Sequence, residues 1–70
     1  MMPLYLADVG EDNTIKRIGG SPKVKQHLEN LGFVVGGDVM LLSVLGGNVI
    51  VKVKESRVAI SQEMAGKIMI

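Results

Sequence analysis

The chain has 70 residues, 47% of them apolar, with eight basic against seven acidic side chains and no cysteine. One domain, residues 1–70, fits this length, and disulfides and thiolate metal sites are excluded. A net charge of +1 gives no long-range field that would steer the chain toward nucleic acid or an anionic membrane.

The apolar content is high for so small an interior. A domain of about 60 residues buries only ~60% of its unfolded surface, so surplus apolar side chains point to a partner surface. The longest uncharged stretch, Val39 to Val51, falls short of the ~20 residues that span a bilayer. The start lacks a basic segment, and Asp8 and Glu11 interrupt it early, so no signal peptide is read. A soluble, cytoplasmic domain is the expectation.

In chain order, "PLYLADVG" offers Leu4, Leu6 and Val9 as apolar anchors before a turn at Gly10. "NTIKRI", residues 13–18, reads as a strand, with a bulge near Lys16-Arg17 because Ile15 and Ile18 break strict alternation. In "GGSPKVKQHLENLG", Ser21 suits an N-cap, Pro22 the first helical position and Gly32 the C′ position. Val24, Leu28 and Leu31 recur at helical spacing along one stripe. Lys23 and Lys25 oppose the helix dipole, and "GGSPK" could hold an anion, but Pro22 removes one donor and a plain turn and cap is the favoured reading.

Three strands follow. Asp38 to Leu45 is expected to send Val39, Leu41 and Leu45 inward and Met40, Leu42 and Val44 outward, under the helix or the N-terminal segment. Gly46-Gly47 makes a tight hairpin. Asn48 to Lys54 alternates Val49, Val51 and Val53 against Ile50, Lys52 and Lys54. A turn at Glu55-Ser56 leads to Arg57–Ser61, with Val58 and Ile60 inward. Ser61 caps one helical turn, Gln62 to Ala65, and Ile68 to Ile70 form a last short strand. Five short strands with one helix inserted after the first predict an all-β fold, a small, strongly bent barrel, since closure reduces exposed edges.

Catalysis finds little support. His27 is the lone histidine, no serine sits in a G-x-S-x-G elbow, and the carboxylates are scattered. His27 is a weak metal candidate with Glu11, Asp12 or Asp38 as oxygen partners, but one histidine makes a poor closed site. No cofactor is expected. Lys16, Arg17, Lys52, Lys54 and Arg57 could form a basic stripe, yet stacking aromatics are missing, so a solvated face is preferred to a nucleic-acid surface.

An ordered set of short motifs runs the length of the chain: "L-x-x-x-G-E" at Leu6–Glu11, "L-x-x-L-G-F" at Leu28–Phe33, Gly36 before a strand, "GGN-x-I-V", and "R-V-A-I" followed by "E-M-A-x-x-I-x-I". The set resembles the FeoA family, accessory proteins of bacterial ferrous iron transport. One departure is Val35, where the family usually places proline. The resemblance implies an SH3-like barrel without enzymatic activity. It also implies action on the membrane ferrous iron permease, which carries a cytosolic GTP-binding domain. A related domain ends the iron-dependent repressors, so a metal-responsive regulatory domain is the alternative, with a small nucleic-acid-binding barrel behind it. With only Tyr5 and Phe33 as aromatics, the proline-peptide groove common on SH3-like barrels cannot be built.

The expected partner-binding residues are Leu31 and Phe33 at the helix exit, with Met40 and Leu42 on the outer strand face. A homodimer is the other expected assembly, through the edge of the terminal strand, Lys67 to Ile70.

Overall fold

The computed structural model describes residues 1–70. Helix α1 (Pro22–Asn30) forms where the caps predict it. The Ser21 hydroxyl accepts from the Val24 N–H at 3.3 Å, and Pro22 opens the first turn without losing a bond. At the far end Gly32 turns the chain at φ 109°, in the left-handed region. The Gly32 N–H then donates to Glu29 and the Phe33 N–H to Leu28, the paired bonds of a Schellman motif.

Four strands form one antiparallel sheet in the order β1 (Asp12–Thr14), β3 (Asp38–Leu45), β4 (Asn48–Val53) and β5 (Ser56–Ser61). A second sheet pairs β2 (Arg17–Ile18) with β6 (Ile68–Met69). Between β5 and β6 lies the expected helical turn, α2 (Gln62–Ala65), whose Met64 N–H donates to the Ser61 hydroxyl at 3.2 Å. The result is a small all-β barrel with one long helix inserted.

The core is wholly apolar. Val39, Leu41, Val49, Val51, Val53 and Ile60 line the larger sheet, and Ile15, Ile18, Leu28, Phe33 and Ile68 close over them. The predicted alternation of β4 holds, with Val49, Val51 and Val53 buried and Lys52 exposed. At about 25 cal/mol per Å² of apolar surface, burial of this kind is what offsets the chain's ordering entropy.

Four expectations need correction. The strand predicted over residues 13–18 is two strands in two sheets. Ile15 still bonds to the Gly36-Gly37 loop, while the Lys16 N–H already donates to Met69. The chain turns a barrel corner between them, which lets Ile15 and Ile18 both face the core despite their odd spacing.

The second correction lies in the N-terminal segment. Leu4–Leu6 is a single 3₁₀ turn. Residues three apart align in that geometry, so Leu4 and Ala7 are buried while Leu6 points out, and Val9 beyond the turn is exposed too.

The third concerns the β4–β5 turn. It is Lys54-Glu55, with φ of 48° and 62°, and Ser56 already pairs with Val53. Two left-handed residues match the strand twist in a two-residue hairpin.

The fourth concerns the terminal strand, whose backbone is occupied on both sides. Met69 and Lys67 carbonyls accept from Lys16 and Gly19, while Ile70 and Met2 exchange N–H···O bonds. Met69 also bridges to Pro3. It offers no free edge for a dimer.

Candidate docking surface

The apolar run of β3 does not keep one parity. Leu41 pairs with Val51, but the next partner, Ile50, faces Ser43, so Leu42 is an extra residue at a bulge. Every residue beyond it changes face. Val44 now lies opposite core-facing Val49, and Leu45 lies opposite exposed Asn48. The expected orientation, Leu45 inward and Val44 outward, is therefore reversed. Val44 reaches past the core at the hairpin end and remains partly open.

Neighbouring elements bring other apolar groups to this end. The Gln62 N–H at the start of α2 donates to Gly47 in the β3–β4 hairpin at 2.9 Å. The 3₁₀ turn packs against both α2 and β3. The Gly10 N–H donates to Leu41 at 2.9 Å, which runs the Asp8–Gly10 segment beside the bulge. Leu6 is 60% exposed, Val9 65%, Val44 44% and Leu45 62%, and Leu42 earlier on β3 is half-buried. Val44 and Leu45 project to opposite faces of β3, and Leu6 and Val9 lie on the segment beside it, so this hairpin end is a candidate interaction surface.

The sequence-predicted residues divide differently. Phe33 is 0% exposed. As the residue after Gly32 it packs back onto the helix, the usual apolar contact of a Schellman end, so it is core and not a docking group. Leu31 caps α1 and is half-buried against the core. Met40 and Leu42 are half-buried on the strand between the 3₁₀ turn side and β4. The structure therefore does not gather the four into one patch. Leu6, Val9 and Leu45 were missed as surface groups, because their exposure depends on the 3₁₀ turn and the bulge; Val44 was expected outward and is partly exposed, though the bulge turns it toward the core face. The one signal was the apolar run itself, too long to lie on a single face.

The polar face offers no catalytic constellation. Asp12, Met40, Lys52 and Arg57 form one cross-strand row, and Asp38, Lys54 and Glu55 adjoin it around a groove of about 240 Å³. Positive and negative groups are mixed there, with Lys52 opposite Arg57, and no aromatic side chain lines the groove. No group of three or more histidines and carboxylates is placed to hold a metal ion. His27 is exposed on the last turn of α1. No helix is long and apolar enough to cross a membrane.

The FeoA domain family matches residues 2–70. A candidate Fe(2+) transport protein A of Methanocaldococcus jannaschii is 33% identical over the whole chain and 85% of its own length. Among solved structures, an iron uptake regulatory protein, FeoA, superposes with a TM-score of 0.87 at 28% identity, over 97% of this chain and 90% of that one. A manganese-dependent transcriptional repressor superposes at 0.84 with 19% identity. The chain spans 38% of that repressor, and this likeness is one of fold alone. The barrel is thus the SH3-like type shared by FeoA proteins and such repressor domains, and by its match from end to end the chain belongs to the FeoA family.

Proposed function

We propose that this chain is a non-enzymatic accessory protein of ferrous iron uptake that docks in the cytoplasm on the GTPase-containing part of the membrane iron permease. The observation that carries this reading is the aliphatic end formed by Leu6, Val9, Leu42, Val44 and Leu45, on a chain where no side chains converge for chemistry. The names of its relatives, an Fe(2+) transport protein A and an iron uptake regulatory protein, support the iron setting. Aliphatic groups on a barrel end suit a partner that offers an apolar groove or helix face, with the nearby polar row setting orientation.

The test is a pull-down of the permease's cytosolic domain on the immobilised chain, with GTP hydrolysis measured alongside. Specific retention, and a changed hydrolysis rate on addition of the chain, are the expected results. Failure of both with a folded permease domain would reject the reading.

A further inference from the structure

Strand β5 ends the larger sheet and pairs on one side only, with β4. Its six residues run without bulge or proline, in register from Ser56 opposite Val53 to Ser61 opposite Asn48. The tight Lys54-Glu55 turn makes Val53 and Ser56 the closing pair that exchanges both hydrogen bonds. Alternation then directs the N–H and C=O groups of Ser56, Val58 and Ile60 toward β4. The Gln62-to-Gly47 bond agrees, since it flanks Asn48 and Ser61 as a pair that exchanges none. The groups of Arg57 and Ala59 and the Ser61 N–H therefore face the open edge, while the Ser61 carbonyl, at the N-cap of α2, accepts the first helical bond.

Natural edge strands are blunted by shortness, proline, bulges or inward charges. The other edge of this sheet, β1, has only three residues. Strand β5 has none of these defences, and of the surface charges that also guard an edge it carries one, Arg57, on the exposed face. Its open groups are also self-complementary. Set antiparallel across a two-fold axis at Ala59, Ala59 meets Ala59 of a second copy, and Arg57 meets Ser61 of that copy. The Ala59 pair then exchanges both bonds, and each Arg57 carbonyl accepts from the Ser61 N–H of the other copy. The core-facing side chains match in parity, with half-buried Val58 opposite Ile60 of the second copy, and no like charges lie directly opposite within the ladder.

We infer that β5 is a self-pairing edge, through which two copies of the chain join their larger sheets into one across a two-fold axis at Ala59. The site is distinct from the aliphatic end, so failure of one leaves the other standing.

Sedimentation equilibrium from micromolar to millimolar concentration, on the intact chain and two variants, tests this. Ala59→Lys places like charges directly across the axis at an exposed position. Ala59→Pro removes an edge-facing N–H that no internal bond uses. The wild type is expected to dimerise, with the dissociation constant raised about fivefold by Ala59→Lys and more by Ala59→Pro. Circular dichroism checks the fold, and should Ala59→Pro unfold the chain, the lysine variant carries the test. A wild type that stays monomeric to millimolar concentration, or a dimer that Ala59→Lys leaves unchanged, overturns the inference. An edge that accepts only another protein's strand would give the monomeric result.

Discussion

The Phe33 N–H donates to the Leu28 carbonyl at 3.0 Å, and both side chains are fully buried. One backbone bond thus ties the end of the long helix to the centre of the barrel. Phe33→Ala is expected to cost about 3–5 kcal/mol, from lost burial and the cavity left behind. A domain this small has little stability to spare, so the variant should be largely unfolded at ambient temperature. Urea titration followed by circular dichroism checks this.

Lys54 and Glu55 hold left-handed conformations that glycine and asparagine adopt more readily. The double change Lys54→Asn, Glu55→Gly keeps the turn and relieves its strain. It is expected to stabilise the fold by about 1 kcal/mol, raising the urea midpoint without changing the slope.

The Ser61 hydroxyl is the N-cap of α2, which holds the hairpin end through Gln62 and Gly47. Ser61→Ala should destabilise by about 0.5–2 kcal/mol. In a domain of this size each kcal/mol corresponds to about 4–8 °C in Tm, so a thermal melt resolves it.

His27 stands alone on the surface of α1, away from any cluster of metal ligands. Calorimetric titration with ferrous or zinc ion is expected to give no saturable one-to-one site at micromolar concentration. Replacing His27 with alanine should leave the titration unchanged.

What could be read from the sequence followed the range of the interactions involved. Helix α1 was legible because Ser21, Pro22 and Gly32 act within a turn of where they stand. Strand β4 was legible because its valines and lysines alternate cleanly. The break after Ile15 was not, since it depends on β6 pairing with residues some fifty positions earlier. The β3 bulge was hidden as well, because Val39 to Leu42 are all apolar and no polar residue marks the change of face. The exposure of Leu6 and Leu45 depended on a 3₁₀ turn and on that bulge, so the sequence pointed to surplus apolar surface but counted buried Phe33 in it and missed these two.

The most direct measurement is calorimetric binding of the permease's cytosolic domain to the wild type and to the Leu6→Asp, Leu45→Asp double variant. Both side chains are mostly exposed, so each change should alter stability by only about 0.5 kcal/mol. Saturable binding by the wild type, weakened about tenfold or more by the folded variant, is the predicted result. Equal affinity for the two proteins would contradict a docking role for the aliphatic end.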